Sequence, residues 1–325
     1  MIGRLPIFLF ALVLTLIITV ATERRLIPYL RARASQPIYE GGPSWHLSKR
    51  GTPTMGGIAF VIASSATILL CSMLFSADGD DYDSISAALS IAFAVLNAGI
   101  GFLDDLTKLR RKENAGLTPL QKLGLQLLCA VAFLIARAQL LSDGSALEFS
   151  FGSVDLGFLY YPFAIVILLG ITNCANLTDG VDGLSASTAF AVGASMLFIT
   201  YGSSDSASLI SVTLIGSALG FLCFNLHPAK IFMGDTGSLF LGALAASGAF
   251  CMKNPTLILP LGIVYVIEGV SVILQVASYK LYKRRIFKMA PLHHHLEKCG
   301  VDENGICVMA IITTLAISVI SSPLF

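Results

Sequence analysis

The strongest constraint on this chain is a succession of long apolar stretches. A bilayer core of about 30 Å needs roughly 17 to 25 apolar helical residues, and ten stretches meet or approach that length. They lie at about residues 5–21, 55–75, 85–103, 120–136, 158–175, 184–201, 207–226, 238–252, 257–279 and 306–323. Only 13% of the residues are charged, against about 25% in soluble proteins. We therefore expect an all-α polytopic membrane protein with about ten transmembrane helices and a single catalytic domain, residues 1–325.

The distribution of basic residues predicts how these helices are oriented. Loops on one predicted side, with Lys122 at an adjoining helix end, hold 18 of the 21 Lys and Arg residues, and the other side holds Arg4, Arg137 and Lys253. By the positive-inside rule the first side faces the cytoplasm, so both termini lie outside it. The first stretch has no small-residue cleavage site before Glu23, which favours a retained span over a signal peptide.

Two further features concern the outer face and the packing. Leu147, Phe149 and Phe151 alternate with polar residues before a Gly-Ser pair, which predicts a small β-hairpin at the outer surface. The eighth stretch is short and rich in Gly and Ala, which is typical of a helix packed among neighbours. The net charge is only +1, so bulk basicity gives no argument for a nucleic-acid partner.

Adjacent carboxylates at Asp104 and Asp105 follow the third apolar stretch at its predicted cytoplasmic end. Such a pair is costly to desolvate and persists either because water and the basic residues at 108–112 neutralise it or because it takes part in chemistry. A solvated helix terminus is the structural alternative. The pair alone does not decide between the two.

Two more polar segments face the same side. Residues 173–183 crowd Asp179 and Asp182 with glycines and amides, so backbone N–H groups could approach a ligand, although a polar turn uses the same residues. Residues 225–238 place Asp235 before Thr236 at a predicted helix start. Unpaired N–H groups there could bind an anion while the carboxylate holds a divalent cation. The alternative is an ordinary capped helix.

The fourth polar segment is Pro291–His295, with three consecutive histidines. Three adjacent imidazoles on a helix cannot all ligate one ion, so contact with phosphate is more plausible than a zinc site. All four segments fall on the predicted cytoplasmic side, although the aspartates were not used to assign it. Five carboxylates gathered near lysines predict a magnesium-dependent site for phosphorylated substrates. These lysines are Lys49, Lys108, Lys112 and Lys122.

With these residues the chain resembles the polyprenyl-phosphate N-acetylhexosamine-1-phosphate transferase superfamily. The late triple histidine and the Gly51–Gly57 segment favour its phospho-N-acetylmuramoyl-pentapeptide transferase branch over its GlcNAc-1-phosphate branch, which stays the nearest alternative. The resemblance implies transfer of phospho-MurNAc-pentapeptide from its UDP carrier to undecaprenyl phosphate, giving lipid I and UMP in peptidoglycan synthesis. It also implies a bacterial inner-membrane enzyme with its active site facing the cytoplasm, and it allows a homodimer.

The resemblance further implies roles for individual residues. Asp235 is the Mg²⁺ ligand, Asp104 handles the lipid phosphate, Asp105 supports the metal, and His293, His294 and His295 contact phosphate or metal-bound water. The residues assigned to the nucleotide are Lys49, Thr54, Asn176, Asp179, Asp182, Asn225 and Phe232, with Phe232 stacking on uracil. Lys108, Lys112 and Lys122 bind substrate phosphates. Glu268, inside the ninth stretch, stays outside the catalytic set.

Two chemical routes stay open: direct attack by the lipid phosphate, or a phospho-aspartate formed first. A phosphate monoester is already largely anionic near neutral pH, which favours direct attack. An ion-coupled transporter would place its acids near the bilayer midplane, whereas most acids here cluster at one face. A scaffold without chemistry does not explain that concentration of polar residues.

Overall fold

The computed structural model describes residues 4–32, 51–111 and 115–324. These residues form α-helices joined by short connections, with one two-stranded sheet. The helices are α1 (Leu5–Arg31), α2 (Gly57–Ala77), α3 (Asp81–Arg111), α4 (Pro119–Leu140), α5 (Tyr160–Thr178), α6 (Leu184–Thr200), α7 (Asp205–Asn225), α8 (Gly234–Phe250), α9 (Ile258–Leu261), α10 (Ile263–Tyr282), α11 (Leu292–Lys298) and α12 (Glu303–Ser321).

The predicted class, a polytopic helical membrane protein, is confirmed. Within the described residues, eight helices are long and apolar enough to cross a membrane. α6 and α8 have 17 residues each, about 26 Å at 1.5 Å per residue, so the count of ten spans stays a prediction. α8 is buried from Thr236 to Phe250. It therefore packs among its neighbours, as its small residues predict.

The ninth apolar stretch is not one continuous helix. It begins with the single turn α9, breaks at Gly262 and continues as α10. Pro260 lies in α9, and its missing N–H removes a helical hydrogen bond at that point. The amide of Gly262 still donates to the Ile258 carbonyl at 2.8 Å, so the chain bends there without leaving the bundle.

The predicted hairpin is present. β1 (Ala146–Phe149) pairs antiparallel with β2 (Gly152–Asp155). The Asn254 side chain donates to the Glu148 carbonyl at 2.6 Å, which fixes the hairpin just beyond the C-terminal end of α8. It therefore lies at the opposite end of α8 from Asp235.

Close packing brings the start of α8 against α2 and α3. A Cβ added to Gly101 in α3 would lie 2.2 Å from the Asp235 carbonyl oxygen, and one added to Gly57 would lie 2.3 Å from the Gly237 Cα atom. Any larger residue would force these backbones apart. The two glycines thus let the helix start that carries Asp235 lie beside the end of α3 that carries Asp104 and Asp105.

Candidate active site

Three carboxylates converge where α3 meets α8. One oxygen each from Asp104, Asp105 and Asp235 lies within 4.8 Å of the other two. Asp104 and Asp105 are almost fully buried, at 2% and 3% exposure. So many carboxylates in so little solvent repel one another unless cations compensate them.

Two lysines supply that compensation. The Lys108 Nζ atom lies 2.7 Å from Asp104 Oδ2 and 3.0 Å from Asp235 Oδ2, and the Lys122 Nζ atom lies 2.7 Å from Asp235 Oδ2 and 3.5 Å from Asp104 Oδ2. Lys108 comes from α3 itself and Lys122 from α4. With all groups ionised, the cluster retains one negative charge. Each ammonium group lies between Asp104 and Asp235 and contacts both carboxylates.

The two adjacent aspartates have different partners. Asp105 accepts the N–H groups of Asp235 and Thr236 at 3.1 and 2.9 Å and the Thr236 hydroxyl at 2.7 Å. It thus caps α8 from another helix and satisfies donors that every helix start leaves open. Asp104 accepts the Leu117 N–H at 2.7 Å, which ties the segment before α4 to the cluster.

Asn176, at the end of α5, joins the same cluster. Its amide donates to Asp235 Oδ1 at 2.9 Å and to the Ser238 hydroxyl at 2.8 Å. Asp235 therefore has an amide on one oxygen and two ammonium groups on the other. The structure brings Asn176 to the predicted metal ligand, although the sequence analysis had grouped it with the nucleotide.

Asp179 and Asp182 lie in the turn between α5 and α6. Burial, together with the charges of Asp235, Asp105 and Asp182, raises the pKa of Asp179 to about 8. Asp179 therefore lies close enough to Asp105 and Asp235 to be affected by their charges. Asp182 turns instead toward His227, whose Nδ1 atom lies 3.1 Å from Asp182 Oδ2.

The segment that contains Thr54 pairs with the segment that contains Phe232. The Phe232 N–H donates to the Pro53 carbonyl at 2.8 Å, and the Gly56 N–H donates to the Phe232 carbonyl at 2.9 Å. Phe232 as a whole is partly exposed. The buried Thr54 hydroxyl lies beside Gly234, where an added Cβ would approach it to 3.0 Å. Thr54 is therefore next to the carboxylate cluster.

Asn225 connects two loops. It accepts the Gly183 N–H on its Oδ1 atom at 3.0 Å and donates from Nδ2 to the Ile231 carbonyl at 2.8 Å. Both ends of the amide are thus occupied by backbone. In this structure Asn225 fixes the turn of Asp182 against the segment of Phe232.

The three histidines point to different surroundings. His293 is buried, with Nδ1 3.1 Å from Glu268 Oε2 and Nε2 against Gly180, where an added Cβ would come within 2.2 Å. His294 Nδ1 lies 2.6 Å from Glu297. His295 accepts the Lys288 N–H at 3.1 Å. The rings of His293 and His294 lie edge to face with centroids 4.2 Å apart, whereas the His295 ring packs against Phe287 at 5.7 Å.

Two acids have contacts near the site that the sequence does not predict. Glu268, expected to lie outside the catalytic set, accepts the His293 N–H at 3.2 Å and faces the ring of the same residue. Glu303 accepts the Asp182 N–H at 2.8 Å. A buried carboxylate in an apolar helix was the available signal for Glu268. Lys49 and Lys112, two predicted substrate lysines, lie outside the described residues.

The cluster suits a magnesium ion. Mg²⁺ prefers oxygen ligands, and carboxylates are its usual protein donors. Asp104, Asp105 and Asp235 bring three carboxylates together, and two lysine ammonium groups lie between Asp104 and Asp235, where a metal cation could replace them. Asp105 is committed to capping α8, so Asp104 and Asp235 are the better candidates for direct contact.

Comparison with known proteins identifies the class and then the family. A model described as glycosyl transferase family 4 matches residues 85–253, just over half of the chain. The phospho-N-acetylmuramoyl-pentapeptide-transferase signature 1 matches residues 49–61. The chain belongs to the phospho-N-acetylmuramoyl-pentapeptide transferase family, and it is a membrane enzyme, a phosphotransferase.

Curated relatives support this assignment over nearly the full length. The phospho-N-acetylmuramoyl-pentapeptide-transferase of Halalkalibacterium halodurans is 42% identical over 300 residues, 91% of each chain. The proteins of the same name from Caldanaerobacter subterraneus and Clostridium perfringens are 41% and 40% identical, covering 94% and 95% of this chain and 95% and 96% of theirs.

Proposed function

We propose that this enzyme transfers phospho-MurNAc-pentapeptide from UDP-MurNAc-pentapeptide to undecaprenyl phosphate, producing lipid I and UMP in bacterial peptidoglycan synthesis. The observation that carries the proposal is the convergence of Asp104, Asp235, Lys108, Lys122 and Asn176 at one end of the bundle. A water-borne nucleotide and a lipid-borne phosphate can meet only at the membrane surface, and the names of the relatives specify the transferred group.

Direct attack by the lipid phosphate is the route that the geometry supports. Its oxygen attacks the phosphorus that bears MurNAc, and the bond from that phosphorus to the bridging oxygen breaks, with the electron pair leaving on UMP. Asp104 is held by Lys108 and by the Leu117 N–H, and Asp105 by three donors. A carboxylate held in this way is a poor nucleophile, which argues against a phospho-aspartate.

The residues of the chain neutralise and orient the reacting groups. Lys108 and Lys122 lie where they can stabilise the charge of the two phosphates, and Asn176 orients the Asp235 carboxylate. Mg²⁺ bound at Asp235 and Asp104 would polarise the pyrophosphate and lower the repulsion between the reacting anions. Phe232, a partly exposed residue, offers its ring for the uracil base.

We also propose that the site faces the cytoplasm and that the hairpin faces outward, as the distribution of 18 basic residues against 3 favours. A variant retaining only the exposed Cys299, near the histidine segment, should react with a membrane-impermeant maleimide only after the cells are permeabilised. Ser150→Cys on the hairpin, in a protein whose seven native cysteines have all been replaced, should react in intact cells. The reverse pattern would overturn the orientation.

The decisive test supplies purified protein with undecaprenyl phosphate and either labelled UDP-MurNAc-pentapeptide or UDP-GlcNAc, with and without Mg²⁺. We expect a lipid-linked product from the muramoyl substrate alone, and only with Mg²⁺. A product from UDP-GlcNAc would indicate the other branch of the superfamily. Transfer that is unaffected by a chelator would remove the magnesium assignment.

A further inference from the structure

Three side chains from distant parts of the chain meet at the turn between α5 and α6. Asp182 belongs to the turn, His227 follows α7, and Glu303 begins α12. The His227 Nδ1 atom lies 3.1 Å from Asp182 Oδ2 and 3.3 Å from Glu303 Oε1. The imidazole therefore lies between two carboxylates and can donate one hydrogen bond to either.

Backbone N–H groups orient both carboxylates. Glu303 Oε2 accepts the Asp182 N–H at 2.8 Å, and Asp182 Oδ2 accepts the Ala229 N–H at 3.0 Å. The Asp182 side chain is buried, with 2% exposure, whereas that of His227 is 46% exposed. The hydrogen bond from the Asp182 N–H to Glu303 fixes the Asp182 main chain, and the contacts of Asp182 Oδ2 with Ala229 and His227 fix its carboxylate.

Glu303 is held in place by the capped first turn of α12. Asp302 caps α12 by accepting the Gly305 N–H at 3.3 Å, so Glu303 lies in the first turn of an ordered helix. On the other side, Asn225 ties Gly183 to Ile231, the neighbour of Phe232. The turn of Asp182 is therefore held between α12 and the segment that carries the aromatic ring.

We propose that Glu303, acting together with His227, is a positioning residue that orients Asp182 for the nucleotide half of the donor substrate. The inference rests on the proposed function, together with the family resemblance, which implies that Asp182 lies in the nucleotide site. Glu303 would touch none of the reacting atoms. Its contribution is to hold an acceptor in its bound orientation before the ligand arrives, which lowers the ordering cost of binding.

The consequence is a selective loss of nucleotide affinity. In Glu303→Ala the Asp182 N–H and the His227 imidazole lose a charged acceptor. We expect the Kd for UMP, measured by titration calorimetry on the full-length protein in detergent, to rise about tenfold. Glu303→Gln keeps an acceptor for the N–H but not the charge, so its Kd should rise only about threefold. The KM for the UDP substrate should follow, with kcat and the KM for undecaprenyl phosphate within about twofold.

Asn304→Ala is the matched control, because Asn304 is an exposed neighbour in α12. It should bind UMP like the unsubstituted protein. Thermal unfolding midpoints of each variant show whether a change in UMP affinity comes from loss of folding. If Glu303→Ala does not fold, Glu303→Gln is the variant on which the inference is tested.

A double-mutant cycle distinguishes positioning from general stabilisation. If Glu303 acts through Asp182, Glu303→Ala should weaken UMP binding little further in an Asp182→Ala background. Additive losses, or an unchanged Kd in both Glu303 variants, would overturn the inference while leaving the transferase reaction intact. Failure of the unsubstituted protein to bind UMP or to form lipid product would instead overturn the proposed function.

Discussion

The two ends of the bundle each carry clustered carboxylates, and the two clusters differ in burial. At the hairpin end, Arg4 lies 2.7, 3.7 and 2.9 Å from Asp78, Asp80 and Asp205, whose side chains are 62%, 31% and 22% exposed. At the other end, the side chains of Asp104 and Asp235 are 2% and 17% exposed, and two lysines balance them. Exposed acids are stabilised by water, whereas buried ones must be balanced by the protein.

This difference shows which cluster is suited to chemistry. Asp205 lies in the first turn of α7, where a negative charge interacts favourably with the helix dipole, so helix capping and ion pairing account for the hairpin-end cluster. Asp104 lies near the C-terminal end of α3, buried beside two other carboxylates. A carboxylate buried beside two others costs folding free energy that its lysine and N–H partners must offset, which favours a role in chemistry. The predictions below test whether reactivity is confined to the buried cluster.

Replacing the predicted metal ligand should have the largest effect. Asp235→Asn removes the charge that holds the cation and two ammonium groups, so transfer should fall by roughly a thousandfold or more. The measurement is formation of labelled lipid product at saturating Mg²⁺. Asp80→Asn at the hairpin end is the matched control and should retain activity within about twofold. Near-normal transfer by a folded Asp235→Asn protein would remove the metal assignment.

Removing the Phe232 side chain should weaken nucleotide binding. Stacking on a base contributes about 1–3 kcal/mol, so Phe232→Ala should raise the Kd for UMP roughly 5- to 150-fold. Phe232→Tyr keeps the ring and should bind almost normally. Phe151→Ala, on the hairpin, provides a control at the opposite end. An unchanged Kd in Phe232→Ala would mean that the ring only packs against its neighbours.

The raised pKa of Asp179 predicts that cation binding depends on pH. Because burial and neighbouring carboxylates raise this pKa to about 8, we expect Asp179 to be mostly protonated at neutral pH in the folded protein and ionised in the unfolded chain. Its contribution therefore destabilises the fold increasingly as pH rises from about 4 to 8. A bound cation favours the ionised form, so binding should release a proton.

We expect Mg²⁺ affinity to increase by up to about tenfold per pH unit below pH 8 and to level off above it. Titration calorimetry in buffers of different ionisation enthalpy measures the released proton directly. Asp179→Asn should release fewer protons on Mg²⁺ binding, and its Mg²⁺ affinity should vary less with pH. An identical proton count in the two proteins would show that another group titrates.

The sequence predicted the parts of this arrangement that depend on local composition. The apolar stretches specify the helices, and the alternation around Phe149 specifies the hairpin. The basic residues placed all four polar segments on one side before any geometry was known. The structure agrees, because Asn176 contacts Asp235 and His293 contacts Gly180.

Which side chains contact one another across helices depends on tertiary packing, which no local sequence pattern encodes. Asp105 caps α8 across 130 residues of sequence, and a cap supplied by another helix has no signature in either segment. Glu303 resembles any acid in a first helical turn, and only the proximity of α12 to the turn at Asp182 gives it a partner. Adjacency in sequence likewise does not encode the acid that each histidine meets, which is Glu268 for His293 and Glu297 for His294.

The smallest effect should come from disrupting the hairpin-end cluster, the more exposed of the two. Arg4→Ala removes three ion pairs that water partly screens, so stability should fall by about 1 kcal/mol or less. The loss should shrink at high salt, as thermal unfolding at two ionic strengths would show. Transfer should change less than twofold, whereas Lys122→Ala at the buried cluster should lower it at least about tenfold, since Asp104 and Asp235 would lose a buried countercharge. Equal losses of transfer in the two variants would mean that the ends of the bundle are coupled, and burial would then no longer distinguish the reactive cluster from the structural one.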